Sequence, residues 1–181
     1  MIYKFVLISD EVDDFVVEFL IESDATFLDL HELIRSTCGY TDDPQACFYL
    51  CDGMWDPQQR IPQEDDMTSR ADEDVYLMRS TRLSELVEDQ GQRLSYVFDS
   101  LNDRRFYLEL MGITFGKHLL KATCNRRHGT PPPQWADSGI IPIPDTIAGT
   151  AGTLDEEFYG AEGFDDEEFD PEGFEITDDN R

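Results

Sequence analysis

The sequence has little positive charge: 14 Lys and Arg residues stand against 40 Asp and Glu residues, for a formal net charge of −26. A chain with this balance repels the phosphate backbone of nucleic acids, so we expect no direct nucleic-acid binding. Long apolar runs are also missing, and the longest near the start, Phe5 to Ile8, is far shorter than the roughly 18 residues of a membrane span. No signal peptide is evident at Met1 to Ser9. We therefore expect a cytoplasmic protein without membrane association.

Cysteine is scarce as well, with four residues in 181, which favours reduced thiols in a cytoplasm over disulfides. Cys47 and Cys51 have the spacing of a zinc half-site only if they lie on a helix or a tight loop. The run between them is typical of a strand, where four positions separate the two side chains by roughly 13 Å. That distance is too long for one zinc ion, so we predict two core cysteines.

A second metal candidate is the C-x₃-H pair formed by Cys124 and His128. The residues that could complete four ligands are His31, His118 and Cys38. Arg126 and Arg127 lie between the members of the pair, and their charges would oppose a cation. No metal or other cofactor is therefore expected.

Catalytic motifs are missing too: the sequence has no G-x-G-x-x-G, Walker loop, H-E-x-x-H or G-x-S-x-G motif. His31 has the chemistry of a general base, but it lies beside the apolar stripe of a predicted helix, which favours a structural histidine. Carboxylate pairs are so abundant that no pair stands out as acid and base. The chain is predicted not to be an enzyme.

The apolar pattern predicts an α+β domain with a mixed or antiparallel sheet. The alternation of apolar and polar residues predicts a hairpin of two strands, Tyr3–Ser9 and Phe15–Glu22. A helix over Phe27–Cys38 follows, with Thr26 as its N-cap and Gly39 as a left-handed C-cap. Later predictions are strands at Cys47–Cys51, Val75–Met78, Arg93–Phe98, Arg105–Met111 and Leu119–Cys124, a polar loop over Gln58–Asp74, and a short helix from Ser80 or Thr81 to Glu88. The ββαβ start looks like a β-grasp (ubiquitin-like) module.

Composition divides the chain into a domain at residues 1–135, a linker at 136–153 and an acidic tail at 154–181. The linker is rich in Gly, Pro, Ala, Ser and Thr. The tail holds 13 acidic residues and one basic residue, and we predict that it is disordered.

Aromatic residues interrupt the tail within an imperfect repeat in which Glu-Glu-Phe is followed by Glu-Gly-Phe. They are Phe158, Tyr159, Phe164, Phe169 and Phe174. One interpretation of the tail is a solvated anionic segment that aids solubility. The other is a docking segment, in which the rings enter the groove of a partner protein, or of this domain, while charge steers the encounter.

Three motifs occur in order along the chain: Thr26-Phe27-x-Asp29-Leu30-His31-x-x-Ile34, Leu94-Ser95-Tyr96-Val97-Phe98-Asp99, and Cys124 followed by Gly129-Thr130-Pro131-Pro132. Together they resemble the plasmid pRiA ORF-3-like family, whose members are also labelled insertion-element passenger proteins of TnpR type. The resemblance covers about residues 1–135. It implies an α+β domain without established activity or cofactor, with a link to mobile elements. It also implies motif residues at Tyr96, Asp99, Asp103, Cys124, Gly129, Pro131 and Pro132.

The chain departs from the family pattern beside the second motif, at Ser100, Leu101, Arg104 and Phe106, and again at Gln134-Trp135. A polar site that the family shared there would be altered here.

The sequence therefore predicts a non-enzymatic binding or adaptor protein, with the domain as scaffold and the tail as docking segment for an unidentified protein partner. Two alternatives stay open. One is an acidic DNA mimic that inhibits a basic nucleic-acid-binding protein, and the other is a metal-dependent enzyme built around Cys124 and His128.

Overall fold

The computed structural model describes residues 1–64 and 76–135, all within one compact unit, Met1–Ile140. The predicted linker and tail, including the tail aromatics, lie outside the described residues. Seven strands and two helices are found in the described part of the chain. They are β1 (Ile2–Ser9), β2 (Val16–Glu22), α1 (Phe27–Cys38), β3 (Cys47–Cys51), β4 (Pro57–Pro62), α2 (Leu83–Leu86), β5 (Arg93–Asp99), β6 (Arg104–Thr114) and β7 (Thr123–His128).

The strands form one sheet in the order β4-β3-β5-β6-β1-β2-β7, and every pairing is antiparallel. β1 and β2 make the predicted hairpin, and β1 also pairs with β6, which follows it by roughly 100 residues. The prediction of an α+β domain is confirmed. The ββαβ order of the first four elements is also observed, and the comparison with a β-grasp module stays a prediction.

Local signals fix both ends of α1. Thr26 accepts a hydrogen bond from the Asp29 amide, while the Asp29 carboxylate accepts one from the Thr26 amide, so the two residues form a capping box. Gly39 ends the helix in the left-handed conformation, with φ 75°. No helix among residues 1–64 and 76–135 is long and apolar enough to cross a membrane.

The core lies between α1 and one face of the sheet. Buried side chains of α1 meet aromatic residues of the strands, and the Phe27 and Phe48 rings lie 5.5 Å apart. Phe5, Leu7, Phe19, Phe106 and Leu108 fill the same layer with no exposed surface. Side chains alternate along a strand, so the neighbours of these residues point to the opposite face, which we call the open face.

Three element predictions were wrong in position. The fourth strand lies at Pro57–Pro62, inside the predicted loop, whereas Tyr76 to Met78 form no strand and Val75 lies outside the described residues. Proline is tolerated in β4 because β4 is an edge strand. The last strand begins at Thr123 rather than Leu119, and the second helix covers only Leu83–Leu86.

Candidate functional site

The second family motif ends in an ion cluster around a buried carboxylate at the turn between β5 and β6. Asp99 has no exposed surface, and its carboxylate accepts hydrogen bonds from the amide and side chain of Asn102. Arg104 lies 3.5 Å from the same carboxylate and makes a two-pronged contact of 2.7 and 2.8 Å with Glu11, from the turn between β1 and β2. These hydrogen bonds to Glu11 raise the pKa of the Arg104 guanidinium above its ordinary value. The cluster therefore ties two turns of the sheet together.

The third motif forms an extended segment, residues 129–135, which we call the strap. Arg104 donates to the carbonyl oxygens of Pro133 and Gln134, at 2.8 and 2.9 Å. On the opposite side, the Tyr40 hydroxyl donates to the Pro132 carbonyl oxygen at 2.5 Å. The side chain of Gln134 completes the attachment with two hydrogen bonds to the backbone of Thr41. Its amide oxygen accepts from the Thr41 N–H, and its amide nitrogen donates to the Thr41 carbonyl oxygen. The strap is thus held between the end of α1 and the turn between β5 and β6.

Gly129 begins the strap, and its backbone requires glycine for two reasons. Its φ is 74°, a conformation that other residues adopt at a cost. A side chain would also meet the backbone of the turn between β1 and β2, since a Cβ would lie 2.8 Å from the carbonyl carbon of Asp14 and 3.1 Å from the Cα of Phe15. The glycine of the motif therefore allows the strap to cross this turn closely.

Tyr96, the other motif residue of β5, belongs to a network in which Tyr96 and His31 are buried and the Asp42 side chain is 56% exposed. The Tyr96 hydroxyl lies 2.9 Å from Nδ1 of His31, and Nε2 of His31 lies 3.1 Å from the Asp42 carboxylate. A carboxylate accepts only, so Nε2 carries the hydrogen; Nδ1 is then the acceptor for the tyrosine hydroxyl. Desolvation by burial lowers the pKa of His31 below its ordinary value, which favours the neutral ring at pH 7.

This network has the order of a nucleophile, a base and an orienting carboxylate, but its first member is inaccessible. Tyr96 is 3% exposed, and burial raises the pKa of its hydroxyl well above the ordinary value. A nucleophile needs to meet its substrate, and this hydroxyl is enclosed beside Phe48, with ring centroids 4.8 Å apart. We therefore interpret the network as a polar link between α1 and the sheet.

The His31 network predicts a pH dependence of stability. The unfolded chain gains a proton at His31 below about pH 6.5, whereas the folded chain resists protonation, so lowering the pH from 7 to 5 should reduce the free energy of unfolding. Urea unfolding at several pH values measures this slope. In His31→Gln the slope over the same range should be smaller, and an unchanged slope would show that His31 does not cause it.

The remaining motif residues are not brought to one place. Asp103 is exposed at the turn between β5 and β6, with φ 53°, and forms an ion pair with Arg105. Cys124 is exposed on β7, where its thiol lies 3.5 Å from the carbonyl oxygen of Arg126. The motifs thus supply two connected sets, Asp99 with the strap and Tyr96 with His31, and leave Asp103 and Cys124 apart from both.

The cysteines lie where strand and helix predictions place them. Cys47 and Cys51 both lie on β3 as predicted, but only Cys47 is buried in the core, whereas Cys51 is half-buried outside it. Burial raises the pKa of the Cys38 thiol to about 12, so this group stays protonated at neutral pH. Within the described part of the chain, no three His, Cys, Asp or Glu side chains form a group that could hold a metal ion.

The open face carries an aromatic cleft that the sequence did not indicate. Trp55 lies in the loop between β3 and β4 with φ 69°, which is unusual for a bulky residue. Its ring meets Tyr107 of β6 edge to face, with 5.2 Å between centroids, and the Arg93 guanidinium lies 4.9 Å from the Trp55 ring. A cavity of about 110 Å³ adjoins the pair. Its lining residues are Val6, Ile8, Trp55, Tyr107, Glu109 and Met111.

Comparisons with known proteins identify a family and a fold. The family model for the plasmid pRiA4b ORF-3-like protein matches residues 6–178. The crystal structure of a protein of unknown function, MM3350 from Methanosarcina mazei Go1, is similar to this chain with a TM-score of 0.53 and 16% identity. The similarity covers 70% of this chain and 68% of the other chain, and at this identity it concerns the fold alone. No curated protein matches.

Proposed function

Because this chain belongs to the family of plasmid pRiA4b ORF-3-like proteins, whose description names no reaction, we propose its function from its own surface. We propose that it is a non-enzymatic adaptor that binds a partner protein on the open face of the sheet. The tail aromatics Phe158, Tyr159, Phe164, Phe169 and Phe174 act as a second docking segment. A link to mobile elements rests on the family description, and we assign the protein to the cytoplasm because its four cysteines are free.

The conformation of Trp55 is the observation that supports this proposal. A left-handed backbone at a non-glycine residue costs on the order of 1–3 kcal/mol, and such residues are concentrated at functional sites. Here the strained backbone holds an indole ring against Tyr107 at the edge of a cleft instead of burying it in the core. Tryptophan and tyrosine are also the residue types that dominate protein interfaces.

The surroundings of the cleft fit an aromatic or aliphatic side chain of a partner. Ile8 is 42% exposed and Met111 is 43% exposed on the same face, so apolar surface continues beyond the cavity. Charged groups border this surface, with Arg93 and Glu109 forming an ion pair of 3.6 Å. An apolar centre with a polar rim is the usual anatomy of a protein interface.

Capture experiments with the full chain test the adaptor proposal. We expect a protein retained from native lysate by the wild type to be lost with Trp55→Ser and kept with Leu101→Ser, a matched control because Leu101 is 85% exposed at another turn. Replacing the four tail phenylalanines with serine should also weaken capture. Equal retention by all variants would contradict both docking surfaces.

Salt titration of the same capture separates the adaptor from an acidic mimic of DNA. Apolar docking at Trp55 should persist at moderate salt, whereas attraction between a highly acidic chain and a basic partner should fall steeply. If added salt abolishes retention of the partner, and Trp55→Ser retains as much partner as the wild type does, the result would favour the DNA mimic.

A further inference from the structure

The free edge of β7 is a second candidate surface, distinct from the aromatic cleft. β7 is the last strand of the sheet, and β2 is the one described strand that pairs with it. All six of its residues, Thr123–His128, are exposed. An edge strand presents a row of backbone N–H and C=O groups to which another extended chain can pair.

This edge is also the basic part of an acidic molecule. From Phe115 to Trp135 the sequence contains no Asp or Glu, although the whole chain has a net charge of −26. Lys117, Lys121 and Arg126 are exposed and form no ion pair with any residue that the structure describes. A partner strand would therefore meet cationic side chains that form no ion pair with the described residues, in a region that also contains Glu22, Asp29 and Glu32, which line a cavity together with Lys121.

Two basic side chains of β7 lie on one face of the sheet. Arg126 lies opposite Glu18, and His128 lies opposite Val16, so both project on the open face. Exposed apolar side chains accompany them in the preceding segment, where Phe115 is 70% exposed and Leu120 is fully exposed. Cationic and exposed apolar side chains thus occur together between Phe115 and His128, a combination that matches a peptide with acidic and aromatic residues.

We propose that β7 binds an acidic, aromatic-bearing peptide of a partner protein as an added strand of the sheet. Main-chain hydrogen bonds along β7 supply the pairing, and charge selects the partner, because a basic strand would be repelled. This proposal goes beyond the adaptor proposal, since it concerns a different surface and specifies the chemistry of the ligand.

The probe for this test is a labelled synthetic peptide with the sequence of residues 154–174, which holds acidic and aromatic residues in the required mixture. Fluorescence anisotropy measures its binding to the full-length protein at low salt. We expect at least tenfold weaker binding to the double variant Lys121→Glu with Arg126→Glu. Arg79→Glu, an exposed charge reversal away from β7, should leave binding unchanged. A probe with Asn and Gln in place of Asp and Glu should bind weakly.

Hydrogen exchange in the same full-length proteins shows whether binding adds a strand. Alternate amides of β7 bond to β2, so the informative ones are those that face the free edge. At these amides we expect fast exchange in the free wild type, slow exchange with the peptide bound, and fast exchange in the double variant with or without the peptide. Three results would overturn the proposal: binding that is unaffected by charge reversal, edge-facing amides of β7 that exchange fast even with the peptide bound, or edge-facing amides that already exchange slowly in the free wild type. Trp55→Ser should not alter these results, so the two proposals can fail separately.

Discussion

Replacing Arg104 with alanine is expected to lower the free energy of unfolding by about 3 kcal/mol, because breaking a buried ion pair leaves its partner charge in a desolvated position. Asp99 has no exposed surface and would lose the guanidinium that lies 3.5 Å away. The same substitution removes the contacts to Glu11 and to the strap carbonyls of Pro133 and Gln134. The free energy of unfolding should therefore fall much further than it does when an exposed arginine is replaced.

Chemical denaturation of the full chain measures this effect, with Arg79→Ala as the matched control. Arg79 is exposed, and its removal should change the free energy of unfolding by about 0.5 kcal/mol or less. If Arg104→Ala and Arg79→Ala were equally mild, the cluster at Asp99 would not contribute to stability.

Replacing Gly129 with alanine is the second substitution with a large expected effect. The left-handed backbone and the collision with the backbone of Asp14 together should cost about 3 kcal/mol. Neither group in the collision is a flexible side chain, so relief requires the strap or the turn between β1 and β2 to move. Thermal unfolding should show a lower Tm than in the wild type.

Gly116 offers a control that isolates the collision. Its φ is 71°, close to that of Gly129, but no atom lies within 4 Å of the position that a Cβ would occupy. Gly116→Ala should therefore show only the conformational cost, on the order of 1 kcal/mol. A Gly129→Ala variant no less stable than Gly116→Ala would contradict the close approach of the strap.

Elements with local signals were predictable from the sequence. The ends of α1 at Phe27 and Cys38 follow from Thr26, Asp29 and Gly39, whose effects are decided within one turn of the helix. The first hairpin follows in the same way from alternation along β1 and β2. These signals need no knowledge of the tertiary fold.

β4 illustrates what local patterns could not provide. Its sequence, PQQRIP, is polar and bounded by prolines, and it becomes a strand because its backbone pairs with β3 from Cys47 to Cys51. Only Ile61 of this strand is buried. A strand that is held at a sheet edge by main-chain hydrogen bonds buries few side chains, so its sequence lacks the alternation of apolar and polar residues that predicts a strand.

The candidate site was predicted in part through family motifs. These motifs pointed to Asp99, Gly129 and Pro132, but not to Arg104 as the residue that connects them, because this position departs from the family pattern. The contacts of the strap also join residues that are far apart in sequence, such as Tyr40 and Pro132. The cleft at Trp55 carried no signal at all, since its backbone conformation is set by the fold.

The pairing of β1 with β6 has a consequence during synthesis on the ribosome. At about 5–20 residues per second, roughly 100 residues take on the order of 5–20 s to be added, and β1 lacks its second neighbour throughout this time. Phe5 and Leu7, which have no exposed surface in the finished domain, cannot yet be enclosed by β6. The nascent chain should therefore recruit chaperones at its first hairpin until Thr114 has left the ribosome and β6 can pair with β1.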